Sequence, residues 1–112
     1  MKIEGDAKRV RIYIGESDQW HGQPLFNAIV LRCREMGLAG ATVLRGIEGY
    51  GANSRIHTAH ILRLSEDLPV VVEIVDVAER IEKLLPILDA MVTEGLITID
   101  DVHVVKYVHA KK

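Results

Sequence analysis

Val10, Ile12 and Ile14 alternate with Arg9, Arg11 and Tyr13 over residues 8–14, the period of two required of a strand with one buried face. A polar stretch, Gly15 to Gln23, follows and holds the single tryptophan, Trp20, beside His21 and Gly22. Pro24 suits the first turn of a helix and Gly37 the position just past its end, which predicts a helix over 24–36. Leu25, Ala28, Ile29, Cys33 and Met36 form an apolar stripe at helical spacing, and Phe26, Val30 and Leu31 widen it past a single face. A helix this apolar is covered on more than one side, by the sheet and then by either loops or a second subunit.

A strand begins at Ala41, with Thr42 and Val43 β-branched, and runs into a glycine-rich loop. Residues 52–60 show no period, and 61–64 resume as a strand before the turn from Ser65 to Pro69. Val70–Val75 is apolar on both faces apart from Glu73 and reads as a central strand. Asp76 and Glu79 have capping-box spacing for a second helix running to about Glu94, with Ile81, Leu84, Leu85, Leu88, Met91 and Val92 on one face. Pro86 interrupts it and predicts a kink or break, because an unadapted interior proline costs about 3 kcal/mol. Gly95 ends this helix, and a last strand is expected over 102–108.

The order β-α-β-loop-β-α-β predicts an α+β, ferredoxin-like sandwich: an antiparallel sheet with both helices on one face, in a single domain spanning 1–112. The other face is left bare. Alternation places Arg11, Tyr13, Val71, Glu73, Val75, Val105 and Tyr107 there, with Val104 turned toward the core. A face of valines and tyrosines around one Arg/Glu couple fits an oligomer with its sheets inward, Arg11 and Glu73 fixing the register. The other reading is an ordinary solvent face.

Composition narrows the partners. The chain has 112 residues and is 48% hydrophobic but only 4% aromatic, so its core is aliphatic, and so apolar a small domain favours self-association. A net charge of -2 gives no general attraction to nucleic acid or anionic membrane. One cysteine excludes an internal disulfide and fits a reducing cytosol, and no window is long enough to insert in a bilayer; a cytoplasmic protein is expected.

Five of the nine glycines fall in Gly37-Leu-Ala-Gly-Ala-Thr-Val-Leu-Arg-Gly-Ile-Glu-Gly-Tyr-Gly51. With Ser65-Glu-Asp-Leu-Pro69, Val75-Asp76 and Glu94-Gly-Leu-Ile-Thr98, this block resembles the DUF190 (UPF0166) family over nearly the whole chain. That family is similar in fold to the PII signalling proteins, ferredoxin-like trimers that contact target proteins through a long T-loop and bind small molecules, often adenine nucleotides, between subunits at its base. The resemblance implies a homotrimer and a sensor, with residues 46–60 as the T-loop equivalent. Family members are often encoded beside fluoride-channel proteins, which implies a membrane channel or transporter as a protein partner. The segment 94–101, where PII proteins carry a lysine-containing phosphate loop, has Asp100 and Asp101 and no lysine, and these two carboxylates are expected to repel phosphate.

The ligand-binding residues expected on this basis are Arg45, Gly46, Glu48, Gly49, Tyr50, Gly51, Arg55 and Lys106. The glycines serve backbone approach, Tyr50 stacking or a hydroxyl contact, and the basic groups an anion, with Lys111 and Lys112 less specific. The loop is expected to order on binding, since its glycines raise the entropy of the free state. No cofactor, metal site or catalytic group is expected. His57 and His60 have spacing for a shared metal but lack a third carboxylate ligand. Cys33 reads as a core residue, and Trp20 fits either a stacking role or a lid on the core edge. The alternative function is a small hydrolytic or metal-dependent enzyme using the loop histidines.

Overall fold

The computed structural model describes residues 1–51, 57–58 and 67–109. Its main sheet has four strands: β1 (Lys2–Gly15), β4 (Ala41–Arg45), β7 (Pro69–Asp76) and β8 (Leu96–Val108), in the order β4-β7-β1-β8 with every pair antiparallel. Two helices, α1 (Leu25–Glu35) and α2 (Ala78–Met91), cover one face. Short two-residue ladders form between β2 (Gln19–Trp20) and β3 (Gln23–Pro24), and between β5 (Glu48–Gly49) and β6 (His57–Thr58). This is the ferredoxin-like α+β sandwich expected from the element order.

The core lies where the alternation places it. Val10, Ile12, Ile14, Val70, Val72 and Ile74 from the sheet meet Leu25, Ala28, Ile29 and Cys33 of α1 and Ile81, Leu84, Leu88 and Met91 of α2, all buried. The α1 ends match the sequence reading within a residue. Pro24 is the N-cap, and Gly37, at φ +74°, follows the Met36 C-cap while Leu38 N–H donates to Cys33 O at 3.1 Å. Burial also raises the Cys33 thiol to about 11, away from reactive thiolate chemistry.

Four expectations are corrected. Of the kink or break expected at Pro86, the break does not occur: α2 is one helix from Ala78 to Met91, and it ends before Glu94. Pro86 and Glu82, whose carbonyl loses its partner, are both exposed, so water can supply the missing bond. Ile81, Leu84 and Leu88 are fully buried on the opposite face, and at about 1.5–3 kcal/mol each they outweigh the proline's cost of about 3 kcal/mol. The capping box does not form, because Val77 is the N-cap and makes no side-chain cap bond. Asp76, with no exposed surface, instead accepts from Ala39 N–H at 2.9 Å and Val77 N–H at 2.7 Å, with Arg80 Nη1 3.5 Å away.

The remaining two corrections concern β8. It begins at Leu96, not Val102, so Asp100 and Asp101 lie on a strand. Asp100 accepts from Arg9 Nη2 at 2.6 Å and Nε at 3.2 Å, and Asp101 pairs with Lys8. The Arg9 hydrogen bond holds the Asp100 carboxyl below its ordinary value. Near its other end β8 slips register against β1, between Ile3 and Gly5. Val104 lies ahead of that slip, in the unbroken register that pairs it with Gly5; it lines a hollow with Glu73, Val75 and Tyr107 on the bare face and does not face the core. The reading of 61–64 as a strand lies outside the described residues.

Candidate functional site

The cross-strand register sorts the bare face into rows. Leu44, Val71, Tyr13 and Leu96 lie side by side across all four strands, and Thr42, Glu73, Arg11 and Thr98 form the next row. Arg11 Nε donates to Glu73 Oε2 at 2.9 Å, with about a third of each side chain exposed. Val75, Arg9 and Asp100 follow, and beyond them Ala7 pairs with Val102. Of the residues expected at an interface, the structure gathers Arg11, Tyr13, Glu73 and Val75 on this face, with Tyr107 on the hollow's rim. Val105 falls in the slipped part of β8 and is 84% exposed.

At the apolar row's end of the sheet lies a cleft of about 370 Å³. Its floor is Tyr13, Ile14, Pro69 and Val71, and one wall is the segment Gly46–Gly51. The opposite wall brings Gly15, Asp18, Asp67, Glu94 and Gly95. Five of the eight expected ligand residues therefore come together here: Gly46, Glu48, Gly49, Tyr50 and Gly51. Of the other three, Arg45 and Lys106 do not, and Arg55 lies outside the described residues. Arg45 turns to an ion pair with Glu16 and is not in the lining. Lys106 stands ten residues along β8 from Leu96, roughly 33 Å at strand rise, so within one chain it cannot share the cleft. Arg55, His60, Lys111, Lys112 and the side chain of His57 lie outside the described residues, as do the loop-ordering expectation's residues 52–56 and 59–60.

Two of the glycines have a reason inside the chain. Gly46 N–H donates to Pro69 O at 2.7 Å, and a Cβ on Gly46 would stand 2.8 Å from Pro69 Cγ. One on Gly49 would stand 3.1 Å from the same atom. Both glycines let the wall lie directly on the proline ring, the close approach that only a missing Cβ allows. Among the described residues, nothing stands within 4 Å of a Cβ built on Gly51.

The opposite wall is tied by backbone amides. Asp67 Oδ1 accepts from Ser17 N–H at 2.7 Å, Asp18 Oδ2 accepts from Gly15 N–H at 2.9 Å, and Glu16 N–H donates to Leu68 O at 2.8 Å. Sequence reasoning missed Asp18, Asp67 and Glu94 as lining residues. The Asp67-Leu-Pro69 turn was visible, but only the pairing of Gly15 with Pro69 brings it to the end of β1. Among the described residues, no three His, Cys, Asp or Glu side chains converge as metal ligands. No helix among them is long and apolar enough to cross a membrane, which says nothing of strand-built membrane proteins.

This architecture is a PII-like one. The fold superposes on CPII from Thiomonas intermedia, solved bound to ADP and bicarbonate, with a TM-score of 0.64 at 15% identity over 88% of each chain. It also superposes on CutA from Synechococcus elongatus, with a TM-score of 0.60 at 12% identity over 96% of this chain and 85% of that one. At these identities the likeness is one of fold. Sequence carries the assignment further: the model of the DUF190 family, described as uncharacterised, matches residues 7–104. The UPF0166 protein of Aquifex aeolicus is 40% identical over 98 residues, covering 88% of this chain and 92% of that one. Its counterpart in Methanocaldococcus jannaschii is 41% identical over 101 residues, covering 89% and 93%. The chain belongs to the DUF190 (UPF0166) family.

Proposed function

We propose that this protein is a non-enzymatic regulator that binds a small molecule in the cleft beside Gly46–Gly51 and signals to a protein partner through the segment 46–60. The observation that carries the reading is the cleft's position: it opens where the glycine-rich stem leaves the sheet, on a fold shared with a nucleotide-bound PII-like protein. Its walls offer Tyr13, Tyr50 and Pro69 as ring-sized apolar surface and the backbone of Gly51. Among the described residues of the lining, no nucleophile–base pair is drawn together, and a binding role asks for none. The pairing of Asp100 with Arg9 and Asp101 with Lys8 removes the repulsion that these carboxylates, left free, would exert on a phosphate.

The assembly that fits the bare face is a homotrimer. The three-fold arrangement is what the family resemblance implies, and burying Leu44, Tyr13 and Leu96 against neighbouring subunits would remove apolar surface that one copy leaves exposed. A neighbouring subunit would bring further groups to the cleft, Lys106 and Arg55 being candidates. The test is a thermal-shift and calorimetric screen with ADP, AMP and bicarbonate, repeated on Tyr50→Ala. Saturable binding that Tyr50→Ala weakens tenfold or more supports the reading. Binding that Tyr50→Ala leaves intact places the ligand elsewhere, and no binding of any of the three discards the nucleotide and bicarbonate class.

A further inference from the structure

The cleft wall Gly15–Asp18 continues without a break into the β2–β3 hairpin, and the bonds at this junction are few and specific. Asp18 does two things: its carboxylate lines the cleft and caps Gly15 N–H, while its carbonyl accepts from Leu25 N–H at 2.8 Å and closes the base of the hairpin on α1. The hairpin turns through His21 at φ +46° and Gly22 at φ +80°, the pair of positive angles of a tight type I′ turn. Trp20 and His21 stack there, with ring centroids 4.2 Å apart and 9° between planes. Trp20 is partly buried against the core and His21 is exposed.

The other side of the same turn holds both ends of the stem that leaves the sheet. Arg45, just before Gly46, pairs with Glu16. Asp67 and Leu68, where the chain returns, bind Ser17 N–H and Glu16 N–H. A Cβ at Gly15 would collide with the Asp67 carboxylate, so the turn and the returning chain are in direct contact. Glu16 and Ser17 are thus bonded to the stem and Asp18 to the hairpin base through Leu25, while Gly15, strand partner of Pro69, is hydrogen-bonded to Asp18 and links the two sets.

We infer that the Gly15–Asp18 turn couples the cleft to the Trp20–His21 hairpin, so that a change at the stem alters the hairpin on the helical side of the molecule. This deepens the regulatory reading and rests on it for its purpose, since it supplies an output surface distinct from the segment 46–60. The physical basis is a two-sided set of bonds on one short element: displacing one set changes the free energy of the other, and the coupling is reciprocal.

The test uses the ligand-free full chain, so its outcome is independent of whether any chosen small molecule binds. Asp67→Ala removes the acceptor of Ser17 N–H, and Glu16→Gln removes the charge facing Arg45. Hydrogen exchange is read at the Leu25 amide and normalised to the α2 amides, with Trp20 emission as a second signal. The expected result for Asp67→Ala is a three- to tenfold rise in normalised exchange at Leu25, the range spanned by the loss of one net hydrogen bond, with a shift in Trp20 emission. Glu16→Gln moves both signals in the same direction by less. In reverse, Gly22→Ala, strained at its positive φ, raises normalised exchange at Ser17 and Gly46. Unchanged normalised exchange at Leu25 in both stem variants overturns the inference, even where overall stability falls, because normalisation removes global opening.

Discussion

Asp76→Ala is expected to destabilise the protein by about 2–5 kcal/mol. The figure follows from what the carboxylate does: it has no exposed surface and accepts from two backbone amides, Ala39 N–H and Val77 N–H. A buried donor left without a partner costs about 1–3 kcal/mol; alanine strands both, and because Ala39 and Val77 are only half-buried the sum stays below the top of the doubled range. Arg80 adds little, because it is 42% exposed and 3.5 Å from the carboxylate. For a chain of this length, total stability is roughly 6–17 kcal/mol, so the variant gives up a large part of it. The assay is urea unfolding at fixed protein concentration, where the midpoint should fall by roughly 1–3 M for an ordinary slope. Tyr107→Phe gives a second reading of the same bridge, since Tyr107 Oη donates to Ala39 O at 2.8 Å from β8. Its own cost is about 0.5–1.5 kcal/mol. The two substitutions meet on one residue, Ala39, through its N–H and its C=O, and should be non-additive. A loss below about 1 kcal/mol for Asp76→Ala, with strict additivity, would refute the reasoning: the α1–β4 connection would then relax or take up water at no net cost.

Four further outcomes are expected. Glu73→Ala leaves Arg11 without its partner and should weaken the proposed trimer in sedimentation; an unchanged oligomer with unchanged melting temperature would leave that pair as solvent-face chemistry. Asp100 has a folded pKa depressed by Arg9, so its contribution is present above the unfolded carboxyl value of about 3.9 and lost as pH falls through the lower folded value. Asp100→Asn should accordingly flatten the stability–pH curve in that acid window. Cys33 should react with an alkylating reagent at pH 8 far more slowly in the native protein than in denaturant, since burial raises its thiol to about 11. Gly46→Ala should lower the melting temperature, because its Cβ meets Pro69 Cγ at 2.8 Å and Pro69 O at 3.3 Å, whereas Gly51→Ala, with nothing among the described residues within 4 Å of its Cβ, should stay within about 0.5 kcal/mol.

Period-two alternation made β1 legible and a run apolar on both faces made β7 legible, and Val10, Ile12, Ile14, Val70, Val72 and Ile74 are all buried. What stayed hidden depended on partners distant in sequence. Residues 96–101 contain Thr98, Asp100 and Asp101 and look like a turn, yet they extend β8 because Arg9 and Lys8 sit opposite and neutralise them. Local propensity carries no trace of that compensation. The facing of Val104 was missed for a related reason: it continues the parity of Leu96, Thr98 and Asp100, so a strand read as starting only at Val102 carried no register to fix its side, and one residue of offset exchanges the faces. Asp76 was read as a cap from spacing alone, while its real partner, Ala39, comes from the other βαβ half.

The glycine-rich block shows most clearly where sequence reading stops. Its spacing marks a place of close backbone approach, and that much is correct, but the approaching group at Gly46 and Gly49 is the chain's own Pro69. The two glycines shape the wall by letting it settle on the proline ring. A side chain at either would force that wall or the ring to shift by a few tenths of an ångström. The motif and the Leu-Pro69 turn are therefore two halves of one packing contact, and this gives a physical reason for their appearing together. In the binding role proposed above, contact with a ligand would fall instead to exposed groups of the same wall, Tyr50, 71% exposed, and Glu48 beside it. If Tyr50 carries binding while Gly46 carries stability, substitutions at the two sites will separate cleanly, one moving affinity at constant melting temperature and the other moving melting temperature first.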